Sequence, residues 1–432
     1  MMRTLLHNAS IIPMDGGTQI IENGYIVIED NTITAMGSGE IDTGGFDKVI
    51  EGNNKVVLPG FVNTHTHAAM TLLRGYADDL PLKEWLETRI WPMEDKLTPE
   101  DIYWGTMLAI IEMIKSGTTT FADMYFAMDE VAQAVEKTGM RACLSRGMVG
   151  IGPQAEQAII DSQELTKKWH KQGEGRITTM LGPHAPYTCP PDYLARVADI
   201  AFDLGVGVHI HLAETLGEVK DIVQQYGKTP AALLQDTGLF KNHVLAAHCV
   251  HLSQEDIALL AENKAAAAHN PESNMKLASG IAPVPAMLAA GINVALGTDG
   301  VSSNNDLDMM QEMRTCALLH KVNQMDPTVI PAYKALEMAT VNGARALGLG
   351  DNIGMLRPGY IADMIIIDLN AAHHIPRYDI TANVVYSGQA SDVETVIING
   401  RVVMENRRIL TLDEEEVFAQ AKKIAARLSA EQ

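Results

Sequence analysis

The feature that most limits what this chain can fold into is a recurrence. Eight short apolar, strand-like runs cross the middle of the sequence, at 58–63, 118–123, 142–148, 177–182, 206–212, 244–249, 265–269 and 292–297. Helical patterns separate most of them. The segment 98–116 is an example: Thr98 can N-cap it, Pro99 suits the first position and Asp101 the third. Apolar residues then recur at Trp104, Leu108, Ile111 and Ile114, and Gly117 ends the pattern. Eight β-then-α units predict an α/β fold, a (β/α)8 TIM-like barrel over 58–352. An open doubly wound sheet is the rival and usually needs fewer strands.

The two ends of the chain read differently. Residues 1–57 are strand-rich with tight turns, as in 25–29, Asp30-Asn31 and 32–36. From 353 onward strands return at 363–368, 393–399 and 401–405, with Asn399-Gly400 as a hairpin turn and a closing helix over 413–430. The economical expectation is a small β-sandwich domain made by 1–57 and 353–432 together, with the barrel inserted between them. A length of 432 residues suits one large domain and a smaller one.

Composition narrows the function. A formal charge of −21 repels nucleic-acid polymers but not a single nucleoside without phosphate. No apolar run reaches the ~18–20 residues that span a bilayer, and the first residues lack a secretory layout. Cys143, Cys189, Cys249 and Cys316 form no CxxC pair, against both a disulfide framework and a zinc knuckle. These features predict a cytoplasmic protein with neither membrane nor nucleic-acid partners; a homo-oligomer is left open.

A barrel puts its chemistry at the C-terminal ends of its strands, and metal-ligand residue types fall there. The first run leads into His65-Thr66-His67, two imidazoles on one side of a strand. The fifth carries His211, with Glu214 three residues on, where strand becomes loop. His209 sits deeper and reads as a core histidine. The sixth ends in His248, and its neighbour Cys249 faces the other way. The seventh leads into a polar turn of unassigned role at 269–274. The eighth ends in Asp299, which closing of the ring brings opposite His65 and His67. Three histidines and an aspartate suit a catalytic zinc site with an open water position. Such an ion lowers the pKa of water from 15.7 to about 7. Glu214, His248 and Asp299 would manage the protons.

The motifs PGFVNTHTH (59–67), HLAE (211–214), AHCVHL (247–252), HNPESNMKLASGIAPV (269–284) and GTDG followed by SSNNDLDM (297–309) resemble the amidohydrolase superfamily. Within it they are similar to the 5-methylthioadenosine/S-adenosylhomocysteine deaminase family. The resemblance implies one divalent metal ion per subunit, zinc by preference, on His65, His67, His211 and Asp299. It implies a purine nucleoside substrate and hydrolytic removal of the adenine C6 amino group from 5′-methylthioadenosine and S-adenosylhomocysteine, with adenosine as a further candidate. Glu214 would serve the purine N1, His248 the attacking water and Asp299 the departing ammonia. Glu94 would meet the ribose, Arg146 the homocysteine carboxylate and His184 the substrate, and Trp85 would wall the pocket. Plain alternatives are a solvated helix-start acid for Glu94, a barrel ion pair for Arg146, a turn role for His184 and lid packing for Trp85. A guanine deaminase or s-triazine-type hydrolase on the same scaffold is the alternative function.

Overall fold

The computed structural model describes residues 2–430. The N-terminal segment supplies β1 (Arg3–Ile11), β2 (Ile21–Glu29), β3 (Thr32–Ser38), β4 (Lys48–Glu51) and β5 (Lys55–Pro59). Eight strands follow: β6 (Phe61–Thr66), β7 (Thr118–Tyr125), β8 (Arg141–Met148), β9 (Ile177–Pro183), β10 (Gly207–Leu212), β11 (Val244–His248), β12 (Ala266–His269) and β13 (Asn293–Leu296). The C-terminal segment adds β14 (Met364–Asp368), β15 (Val393–Ile398), β16 (Arg401–Glu405) and β17 (Arg408–Ile409), then the helix Glu414–Ala430.

β6 to β13 form one parallel sheet in sequential order, the TIM-like arrangement the eight apolar runs predict. The ring is closed between β13 and β6 largely through side chains. Thr64 Oγ1 donates to Leu296 O at 2.8 Å, Asn63 Nδ2 to Thr298 Oγ1 at 2.7 Å, and Thr298 N to Asn63 Oδ1 at 3.0 Å. One backbone bond, Asp299 N to His65 O at 2.9 Å, crosses the same seam. Inside the ring the sequence turns to small residues. Ala122, Ala247, Ala266, Ala268 and Ala295 are buried there with Val62 and Leu245. Ala344, Ala346 and Leu347 pack onto the same cluster from the chain that follows the last barrel strand.

The two chain ends join in one mixed nine-stranded sheet, ordered β17-β16-β15-β14-β5-β1-β2-β3, with β4 on β1. β14 pairs antiparallel with β5, which brings residues more than 300 positions apart side by side. A buried ion pair fastens this sheet to the barrel: Arg141 Nε lies 2.6 Å from Asp363 Oδ2, and Asp363 Oδ1 also accepts from Asn399 N at 2.6 Å. Among the described residues, no helix is long and apolar enough to cross a membrane.

Two expectations need correction. The run 58–63 is two strands, not one: Leu58 and Pro59 end β5 in the terminal sheet, and the barrel strand begins at Phe61. Gly60 makes the junction, because a Cβ there would lie 2.1 Å from the side chain of Thr119. An uninterrupted apolar run hides a change of sheet, since both strands are buried. The helix Pro99–Lys115 has its Thr98–Asp101 capping box, but its buried face is wider than expected. Ile102, Met107, Ile110 and Met113 are buried, whereas Trp104 and Leu108 are only half-buried. The helix is packed from several sides, by 68–73, by Met128–Thr138 and by the C-terminal helix, so a single stripe cannot describe it.

Candidate metal centre and active-site cavity

His65 lies within β6 and His67 just beyond it, His211 in β10, His248 at the end of β11 and Asp299 shortly after β13. All five side chains point into the same end of the ring. Their backbones help. Ala213, His248, Cys249 and Asp299 have φ of 51°, 70°, 52° and 64°. Left-handed conformations at non-glycine residues cost of order 1 kcal/mol each and concentrate at functional sites. Here they turn the chain sharply where strand becomes loop.

The ligand atoms converge. His65 Nε2 and His67 Nε2 are each 3.3 Å from Asp299 Oδ1, and His211 Nε2 is 3.4 Å from His67 Nε2. Four ligands about 2.1 Å from a central ion in a tetrahedron stand about 3.4 Å apart, so the spacing fits zinc. The tautomers fit too. His67 Nδ1 donates to Met124 O at 2.6 Å and His211 Nδ1 to His184 O at 2.7 Å. A carbonyl only accepts, so each Nδ1 carries the proton and each Nε2 presents a lone pair. His65 Nδ1 is 2.8 Å from His209 Nε2, and buried His65 Nε2 has no well-aligned partner in the protein. His209 is thus the core histidine expected, one that also orients His65.

The charge balance has the same sense. Burial pushes His65 down to about 4 against the pull of Asp299. Burial opposes a charge on His67 as well, but its hydrogen bond with Asp299 raises it to about 9. Asp299 is itself held well below the usual carboxylate range: burial opposes its ionisation, but hydrogen bonds from His65 and His67 outweigh it.

Above this centre lies a cavity of about 550 Å³. His67, His211, Glu214, His248 and Asp299 form its polar floor. Glu214 is buried, and that burial raises its carboxyl above the usual range. Its Oε2 is 3.8 Å from His248 Nε2. The cavity also brings in Trp85, Glu94, Arg146 and His184. Glu94 is not a solvated acid: Tyr125 Oη donates to its Oε1 at 2.5 Å, and burial lifts it to about 7. Arg146 lies 3.7 Å through Nε from Asp161 Oδ2, so the ion-pair alternative for it is realised on the cavity wall. His184 Nδ1 is 2.9 Å from Thr188 Oγ1, and burial keeps the ring near 4.

Sequence reasoning missed the residues that hold these in place. Tyr125 fixes Glu94; its place at the end of β7 was the available signal. Ser273 and Ser303 donate to Asp299 Oδ2 at 2.7 and 2.9 Å, and Asn274 Oδ1 is 3.0 Å from His248 Nδ1. These contacts give the polar turn after the seventh strand its role. Glu218 accepts from Ala213 N at 3.1 Å and Glu214 N at 2.8 Å. Cys249 turns its thiol towards Ala246 O, 3.5 Å away, apart from the ligands. His269 faces His320 at 3.0 Å, and His251 meets Ser279 O at 2.6 Å.

A parallel eight-stranded ring with three imidazoles and a carboxylate at one end defines a metal-dependent hydrolase of the amidohydrolase class. The chain belongs to the amidohydrolase family, which it matches over residues 56–403. Within that class it is a member of the 5-methylthioadenosine/S-adenosylhomocysteine deaminase family. It is 65% identical over 428 residues to the protein of that name from Syntrophomonas wolfei subsp. wolfei, covering 99% of each chain. It is 55% identical to the one from Desulforamulus reducens, covering 99% of this chain and 100% of the other. Among solved structures, it resembles a zinc-bound adenosine deaminase from Xanthomonas campestris, with a TM-score of 0.95, 35% identity and coverage of 99% and 98%.

Proposed function

We propose that this chain hydrolyses the C6 amino group from the adenine of 5′-methylthioadenosine and S-adenosylhomocysteine, with adenosine as a further substrate, giving the inosine analogue and ammonia. The observation that carries this is the close spacing of His65, His67, His211 and Asp299 at the base of a cavity that Glu214 and His248 also line. The names of the near relatives support it.

One divalent ion, zinc by preference, would be held by His65, His67, His211 and Asp299 and would supply an acidified water. The chain's own groups do the rest. Glu214, whose carboxyl burial raises above its usual range, carries to N1 the proton that the attacking water gives up and so makes C6 electrophilic. His248, its ring held by Asn274, hydrogen-bonds the attacking water. Asp299 takes the proton left on the C6 hydroxyl and passes it to the departing amine, so the two protons of one water end on N1 and on the ammonia released. Glu94, held by Tyr125, receives the ribose hydroxyls. His184 contacts the substrate, and Trp85 supplies an apolar wall. Arg146 meets a carboxylate on the 5′ side. A cytoplasmic home is part of this reading, supported by four cysteines that are all buried free thiols.

The test follows the ultraviolet change from adenine to hypoxanthine for 5′-methylthioadenosine, S-adenosylhomocysteine and adenosine with zinc-loaded protein. Guanine and a triazine run alongside, because triazine hydrolase shares the fold at a TM-score of 0.92 and 25% identity. Turnover of guanine or the triazine with none of the adenine nucleosides would overturn the proposal.

A further inference from the structure

A second cavity of about 550 Å³ opens beside the first. Arg146 lines both and forms part of the wall between them. Most of the rest of the second cavity comes from the helix Ala155–Trp169, which contributes Asp161, Glu164, Lys167 and Lys168. Asp129 completes its charged groups, giving three acids and three bases. Lys168 and Asp129 already satisfy each other at 3.0 Å. Arg146 and Asp161 are paired loosely, at 3.7 Å, and the other Asp161 oxygen accepts from Gln157 Nε2 at 2.8 Å. Glu164 is exposed on the same helix, three residues along, and so faces the same way as Asp161.

The two thioether nucleosides differ only at the 5′ end. With the purine on the floor and the ribose at Glu94, that end is the part left to reach Arg146. A methyl group needs nothing from charged residues. An amino-acid tail carries a carboxylate and an ammonium, and a lone arginine recognises only the first. A second cavity that holds carboxylates next to that arginine matches the remainder.

Resting on the deaminase reading, we infer that the second cavity receives the α-ammonium of an amino-acid tail, with Asp161 and Glu164 as its acceptors. The Arg146–Asp161 pair is then an exchangeable one. In its resting form the two side chains neutralise each other, so a substrate with an uncharged tail leaves neither charge unpaired. When a zwitterionic tail enters, Arg146 turns to its carboxylate and Asp161 to its ammonium, with no change in net charge. Asp161 and Glu164 are therefore specificity-determining residues that read the amino group.

The experiment compares kcat/KM for S-adenosylhomocysteine, for its analogue lacking the α-amino group, and for 5′-methylthioadenosine, each with zinc-loaded wild type and with the Asp161→Asn/Glu164→Gln double variant. The ratio of S-adenosylhomocysteine to methylthioadenosine efficiency is expected to fall about tenfold in the variant, the effect of a lost charge-assisted contact. The ratio for the analogue without the amino group is expected to hold or rise. A loss shared equally by all three substrates, or an unmoved S-adenosylhomocysteine ratio, would overturn the inference while leaving the deaminase reading intact. Failure of wild type on every adenine nucleoside removes both.

Discussion

At the residue scale the proposed roles separate groups that bind from groups that move protons. Asp299 is placed to do both. Asp299→Ala removes one of the four proposed ligands and the counter-charge to His67, and metal content by elemental analysis should fall to well under one ion per chain, with activity lost alongside. Glu214 touches no ligand position, so Glu214→Gln should keep the ion while kcat drops roughly 10²–10⁴-fold, the usual contribution of general acid–base catalysis. A Glu214→Gln protein that is metal-free, or that is metal-loaded and still fast, would show that the roles are misassigned. The same division explains what the sequence made legible. His65, His67, His211 and Asp299 stand at strand ends with a residue type that has few other uses there. Tyr125, Asn274, Ser273 and Ser303 are ordinary residue types whose roles arise from contacts across strands and turns, such as Ser303 on Asp299. No local pattern announces such contacts.

At the element scale the turn after β10 is the informative piece. The helix Leu216–Tyr226 is N-capped by Thr215, and its early residue Glu218 reaches back to the backbone of Ala213 and Glu214. Burial raises Glu218 from its ordinary 4.5 to about 7. A carboxyl whose folded pKa is raised binds more protons folded than unfolded, so its stabilisation is complete below 4.5 and is lost as pH rises through 7. Wild type should therefore lose about 3 kcal/mol more stability than Glu218→Gln between pH 5 and pH 8, read from urea midpoints. An equal loss in both proteins would mean that Glu218 is not the group responsible. Elements were legible where pattern and capping agreed, as in Pro99–Lys115, and misread where burial is complete. The 58–63 run lacks the alternation that separates one strand from two, and a helix enclosed on several sides has no single stripe to find.

At the scale of the whole molecule, chain ends that never touch the cavity hold the ring in shape. Asp363 joins Arg141 of β8 to Asn399 of the terminal sheet within a fully buried contact. Asp363→Ala leaves Arg141 charged and unpaired and should cost about 3–5 kcal/mol, measured by denaturant unfolding. A cost under about 1 kcal/mol would mean that the pair does not fasten the two sheets.

The seam of the ring has a consequence in time. The residues that close it, Asn63 and Thr298, are 235 positions apart, and the proposed metal ligands His65 and Asp299 follow within two residues of them. A chain emerging from the ribosome has its three imidazoles long before its carboxylate, and the fourth proposed ligand arrives only with the final barrel strand. An ion held by all four proposed ligands would therefore act as a clasp across the seam, complete only when the last barrel strand is in place.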